Sequence, residues 1–473
     1  MPTDCTSQQL LFQSLGSRRV VADFDAGRVS SDGGVLLLRE LEERIGIIDR
    51  FAACFTDHRS PLFIEHTVVE LLRQRIFGLC AGYEDLNDHD TLRDDALLAA
   101  AVGKRDVTGE SRPRERDKGH PLAGKSTLNR FELTRPDACS QTRYKKIVAR
   151  DEDIERFFVQ EFIDAHRHLP MPRVVLDIDP SDIELHGGQE GSFYHGYYDH
   201  RCYLPLYIFC GEHVLMARLR RSDIDGCAGT TEALQSLVPQ LRQQWPDAEI
   251  VVRADSGFAR EEIFAWCEAN SVHYVIGLAR NTRLQELISD ELAEVAALHA
   301  DSGVPERCFA DLRYRTLKSW SRVRRVVAKA EQLVGKANPR FVATSYEPDR
   351  FEARTLYEDE YCARGEAENR IKEQQLDLFG DRASCTPMRA NQIRAWFSAV
   401  AHLVMVEFRR TALAGTCLAR AQTGTIRVRL FKVGALVRIS VRRVRIAFSS
   451  VFPLQDTFRT ALRQIRTTWA LAP

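Results

Sequence analysis

Apolar residues set the first divisions of this chain. From about Leu36 to Val102 they recur every three or four positions, as in HTVVELLRQRIFGLCAGYEDL, which predicts helices with one buried face. The preceding RVVADFDAGRVSSDGGVLL predicts a short strand, a Ser-Ser-Asp-Gly-Gly break and the start of a helix. Residues 104–125 are a charged linker containing Pro and Gly, and GKSTLNRFELTR then predicts a second helical piece. Its first turns carry Ser126, Thr127, Asn129 and Arg130. Short polar side chains opening a helix suit contacts in a DNA groove or to phosphate, and equally suit ordinary N-capping.

The texture changes at Arg173. RVVLDID reads as a strand whose Asp177 and Asp179 share a face, because strand side chains alternate. CYLPLYIFCG and HVLMARLRR predict a hairpin; a helix over 231–244, the strand AEIVVRAD, the helix REEIFAWCEAN and the strand HYVIGLA follow. Three strands, helix, strand, helix, strand is the order of a ribonuclease-H-like core, an α/β fold with a mixed sheet flanked by helices. Residues 284–356 break this rhythm with alternating runs that predict a mostly β insertion. QIRAWFSAVAHLVMVEF is apolar nearly all round and predicts a buried helix, and TIRVRLFKVGALVRISVRRVRIAF alternates as strands or a hairpin would. The expected organisation is a helical N-terminal DNA-binding region (1–168), a core in two parts (169–283 and 357–411) around the β-rich insertion (284–356), and a basic C-terminal segment (412–473).

Composition narrows the class. With 473 residues, 44% of them hydrophobic and 28% charged, the chain is long enough for several domains and reads as an ordinary globular protein. It has no apolar run of about eighteen residues and its start lacks the basic-then-apolar order of a signal peptide, so a cytoplasmic, nucleoid-associated protein without a membrane partner is expected. The 12 cysteines and 13 histidines are scattered without metal-site spacing, which predicts reduced thiols and gives a histidine metalloenzyme little support. The net charge of zero hides an asymmetry: from Arg409 onward there are thirteen basic residues and one acid, Asp456. Such a tail suits phosphates, or edge strands protected from aggregation.

Candidate chemistry gathers in YCARGEAENRIKEQQ. On a helix, Tyr361, Arg364, Glu368 and then Lys372 or Gln375 form one polar stripe, which a solvated face with a Glu368–Lys372 pair would also produce. In the expected core, Asp177 and Asp179 on the first strand and Asp255 at the end of the fourth can converge, and Glu368 would complete an all-oxygen site for two divalent cations. Oxygen ligands select Mg2+, with Mn2+ as substitute, over zinc.

LDIDPSD, GYYDHRCYLPLYIFCG, RADSGFAREEIFAWCEAN and YCARGEAENRIKEQQLDLF together resemble the DDE transposases of bacterial insertion sequences, in the branch with a Tyr-x-x-Arg-x-x-x-Glu signature. FDAGRVSSDGGVLLLREL, GYEDLNDHDTLRDD and LAGKSTLNRFE extend the resemblance through the first third. The resemblance implies that Asp255 is the second catalytic aspartate and Glu368 the glutamate. The first is Asp179, favoured by DPS, or Asp177. Tyr361 and Arg364 match residues that hold DNA phosphates near the cleaved end. The family's lysine falls at Gln375, so Lys372 one turn earlier is the alternative, and Trp320 in the insertion is the candidate, by type, for stacking on a flipped base. The resemblance further implies binding of terminal inverted repeats and target double-stranded DNA, end cleavage, joining of 3′-hydroxyls, and a homodimer on paired ends. The alternatives are a nuclease or resolvase of the same fold and an inactive DNA-binding derivative.

Overall fold

The computed structural model describes residues 9–468, which form two compact units. One comprises Ile47–Pro61 and Arg130–Val406, and it contains the acids singled out above. Its centre is a nine-stranded sheet. The principal strands are β1 (Arg173–Pro180), β2 (Leu206–Cys210), β3 (His213–Arg218), β4 (Glu249–Ala254), β5 (His273–Leu278), β6 (Glu306–Tyr314), β7 (Arg324–Leu333) and β8 (Arg340–Thr344). Their spatial order is β3-β2-β1-β4-β5-β8-β7-β6, with the two-residue strand Lys336–Ala337 beside β7. β1, β4 and β5 run parallel, and the remaining pairs are antiparallel.

The alternation of side chains sorts the two faces. Val174, Leu176 and Ile178 of β1 and Ile250, Val252 and Ala254 of β4 enter one core, shared with helix α1 (Thr230–Gln244), helix α2 (Glu261–Ala269) and helix α3 (Ser289–Ser302). Val251 and Val275 enter a second core with Val327, Val342 and Leu356, against which Val175 also packs. This second face receives a helical segment over 353–377 in which one α-helical stretch, α4 (Gly365–Lys372), lies between the wide π-turns Leu356–Tyr361 and Glu373–Asp377. The insertion supplies α3 and β6–β8, and these strands extend the central sheet beyond β5 instead of making a sheet of their own. The expected buried helix is α5 (Met388–Ala412).

The second unit comprises residues up to Gly46, Leu62–Asn129 and Glu407 onward. Of its helices, Val35–Ile45 buries one apolar face, as the periodicity predicts, whereas Val68–Ala81 is buried on all sides from Leu71 onward and Ala96–Val102 throughout. The basic tail departs in part from expectation: residues 423–431 are helical, because Ile426, Leu430 and Phe431 lie buried on one helical face. Strands do form at Ala435–Ser440 and Arg443–Phe448, a hairpin paired with Arg28–Ser30. Among the described residues no helix is long and apolar enough to cross a membrane, and no two of the eleven described cysteines form a disulfide with each other.

Candidate active site

The parallel register of β1 and β4 builds the site. Arg253 lies opposite Asp177 and Ala254 opposite Ile178, so Asp179 and Asp255 each stand one residue beyond the last paired positions of neighbouring strands. Counting by twos from Val175 and Val251 puts Asp177, Asp179, Arg253 and Asp255 on the face that the 353–377 segment covers. On that segment Arg364 reaches both ways, with Nη1 3.4 Å from Asp179 Oδ2 and Nη2 hydrogen-bonded to Glu368. Glu368 is thus joined to Arg364, four residues before it, and among the described ion pairs none joins it to Lys372.

The two candidate first aspartates have different surroundings. Asp177 is 4% exposed, and Arg253 clasps both of its oxygens at 2.5 and 2.8 Å. Burial raises its pKa, and Arg253 and Arg364 oppose the rise. Asp179 has only the longer Arg364 contact, and its pKa is pushed up to about 7: burial is the main cause, Arg364 opposes it, and the negative charges of Asp255, Glu368 and Asp177 add to it. Those interactions place Asp179 in the same acidic field as Asp255 and Glu368. Burial works against the Arg364 charge, but Asp179 and Glu368 more than offset it, so its pKa is raised.

Tyr361 completes this wall. A methyl group placed on Gly277 of β5 would lie 2.5 Å from the Tyr361 hydroxyl, so only a residue without a side chain lets the phenol lie against the sheet here. Burial raises the Tyr361 pKa and Asp255 adds to it, against the pull of Arg364. Arg173 grips the neighbouring Glu360 carboxylate, and Arg253 donates to the Glu360 carbonyl at 2.7 Å, which pins the segment to β1 and β4.

Among the described residues no group of three or more His, Cys, Asp or Glu side chains is drawn together as a metal cage. The donor chemistry still fits a hard divalent cation: Asp179, Asp255 and Glu368 offer only carboxylate oxygens, and burial, with the negative charges of Asp255, Glu368 and Asp177 added, pushes the Asp179 pKa up to about 7. Arg364 supplies part of that charge as its guanidinium spans Asp179 and Glu368.

Other expected site residues divide. Trp320 must be withdrawn as a stacking platform: it is 5% exposed, packed edge-on to Phe264 and Tyr314, with the Arg324 guanidinium over its ring. Base stacking needs an open face. The regular stripe is also modified, since the π-turn over Glu373–Asp377 carries Gln375 inward, where Nε2 donates to Ser181 Oγ at 3.0 Å and to the Asp182 carbonyl at 3.3 Å. Lys372 remains exposed. Ser126, Asn129 and Arg130 are exposed and Thr127 half-buried on the helix Lys125–Glu132, whose first amide is capped by Asp90, and Arg130 lies over the Tyr144 ring. Sequence reasoning missed Arg253, Gly277 and Ser181. It also missed Tyr198, whose pKa rises through burial and through the charges of Asp182 and Asp179.

These positions separate Lys372 from Gln375 experimentally. Gln375→Ala is expected to lower stability by about 0.5–1.5 kcal/mol, because it removes hydrogen bonds to the half-buried Ser181 and Asp182, while leaving the salt dependence of DNA binding unchanged. Lys372→Ala is expected to leave the urea midpoint unchanged and to reduce the salt slope of DNA binding by about 0.9. A drop in stability for Lys372→Ala would contradict its placement on the open face.

The chain matches the family described as transposase DDE domain group 1 over residues 12–470. No curated protein matches it. With the match spanning nearly the whole chain, this protein belongs to the DDE transposase domain family.

Proposed function

We propose that this protein is a transposase that binds the terminal inverted repeats of an insertion sequence, cuts the DNA ends and joins the 3′-hydroxyls to target DNA. The observation that carries the reading is the placement of Asp179 and Asp255 at the ends of adjacent parallel strands, with Glu368 tied to Asp179 through Arg364. The order β3-β2-β1-β4-β5 supports a ribonuclease-H-like core. Asp179, Asp255 and Glu368 would hold Mg2+, with Mn2+ as substitute. Bound divalent cations supply activation of the attacking water or hydroxyl and stabilisation of the leaving oxygen.

The chain's own residues do the positioning. Arg364 presents a planar cation that can exchange a carboxylate for a DNA phosphate, and Tyr361 beside it offers a hydroxyl fixed against Gly277. Helix Lys125–Glu132 offers short polar side chains to a groove. In the tail, Lys432 is paired with Asp32, Arg466 with Glu40 and Arg459 with Asp456, whereas Arg438 and Arg445 face each other across the exposed hairpin with Arg442 and Arg443 at its turn. Like charges directly opposite are unfavourable unless a polyanion lies across them. Two copies would hold paired ends.

Incubation of the protein with Mg2+ and a fragment carrying the DNA that flanks its gene should give nicks at the element ends and joined products on a gel. Asp255→Asn should abolish cutting while keeping DNA binding that weakens steeply with salt. Cutting without joining would assign a nuclease. Binding without cutting by the native protein would assign an inactive derivative.

A further inference from the structure

The acid-bearing unit contains a cavity of about 490 Å³ whose lining includes Ser256 and Tyr361 and, around it, Arg280, Lys336 and Arg340. We propose that this cavity is a phosphodiester-binding site, which takes the backbone phosphate next to the one at Asp179, Asp255 and Glu368. The inference rests on the functional reading above and names a part of the substrate that the acids do not touch.

The charges are the first observation. Arg280 follows β5, Lys336 begins the two-residue strand beside β7 and Arg340 opens β8, so two pieces of chain distant in sequence bring cations to one concavity. All three are exposed, and none has an acidic partner among the described residues. Their neighbours behave otherwise: Arg307 pairs with Glu358 at 2.9 Å and Lys329 with Glu331 at 2.7 Å. Uncompensated like charges in a concave site focus a positive potential, and an anion is what relieves it.

Continuity with the acids is the second observation. Ser256 directly follows Asp255, and Tyr361 lines the cavity while its hydroxyl lies over Gly277, close to the Asp255 backbone. The same phenol therefore bounds both the cavity and the carboxylate site. A bare halide or sulfate would occupy little of this volume, which lies within the range of about 300–1,000 Å³ that small-molecule sites span. A single nucleotide unit of a strand fits the size, the charge and the adjacency together. Asn338 also lines the cavity, but its amide is engaged with the Glu331 carboxylate at 2.6 Å and leaves the anion to the three cations.

The test uses the full chain carrying Asp255→Asn, so that cutting does not intervene, and a fluorescent oligonucleotide duplex that bears the element end, titrated across KCl concentrations. The variant Arg280→Gln, Lys336→Gln, Arg340→Gln should bind with a salt slope smaller by about 0.9, the value for one lost phosphate contact, and about tenfold more weakly at low salt. A charge-keeping variant, Arg280→Lys with Arg340→Lys, should restore the slope, which separates charge from damage to the fold. In the parent protein one neutral methylphosphonate beside the scissile position should weaken binding, and in the triple glutamine variant it should have no further effect. An unchanged slope, or a methylphosphonate effect that persists in the variant, would overturn the site. Thymidine 5′-monophosphate that competes as well as the strand at equal phosphate concentration would assign the cavity to a free nucleotide and also overturn it. Failure of the native protein to cut end-bearing DNA would count against the transposase reading alone, since the binding series is read without cutting.

Discussion

Asp179→Asn should abolish DNA cutting and at the same time stabilise the protein at pH 8 by about 2–4 kcal/mol. Burial pushes the Asp179 pKa from 3.8 up to about 7, with the charges of Asp255, Glu368 and Asp177 adding and Arg364 opposing. The folded carboxyl therefore holds its proton more tightly than the unfolded one. Its contribution is harmless below about pH 4, where both states are protonated, and stability is lost as pH rises until the folded group ionises near 7. Asparagine keeps the shape and buries no charge, so the gain over wild type should be present at pH 8 and absent near pH 4. Urea melts of both proteins at the two pH values provide the check. A destabilised variant at pH 8, or an equal difference at both pH values, would show that Asp179 does not carry buried negative charge. The negative field that costs stability is also the one that would attract a divalent cation, so the substitution trades function for stability.

The sequence made the central strands legible because each is a short apolar run closed by turn residues; alternation put Asp177 and Asp179 on one face, and the order of elements put Asp255 at the end of a neighbouring strand. Pairing was not legible. Arg253 sits in a run that reads simply as a strand, and its role comes from lying opposite Asp177, a register that no local pattern encodes. The insertion looked like a separate β element for the same reason: its alternation predicts strands but not that β8 would pair with β5. Trp320 looked available by residue type, and its burial depends on Phe264, which is distant in sequence, and on Tyr314 at the end of β6, onto which the following loop folds it. The polar stripe was legible from Arg364 to Glu368 and failed at Gln375, where a π-turn replaces the assumed period.

Arg253→Met should destabilise the protein by about 3–5 kcal/mol, the cost of leaving a buried carboxylate without its partner. Asp177 is 4% exposed and both of its oxygens are taken by the Arg253 guanidinium, which also donates to the Glu360 carbonyl and so ties β4 to the segment that carries Arg364 and Glu368. Replacing both partners together, as Arg253→Met with Asp177→Leu, should recover most of that loss, because neither member is then left charged in a dry environment. The same geometry bears on the choice of first acid. A carboxylate whose two oxygens are already held by a bidentate arginine has little capacity left for a cation, whereas among the described residues Asp179 has one side-chain ion pair, the 3.4 Å contact to Arg364. Asp177→Asn should therefore retain measurable cutting by the fraction that stays folded, while Asp179→Asn should show none at equal folded concentration. Loss of cutting by a fully folded Asp177→Asn protein would transfer the catalytic role to Asp177 and make Asp179 the supporting residue.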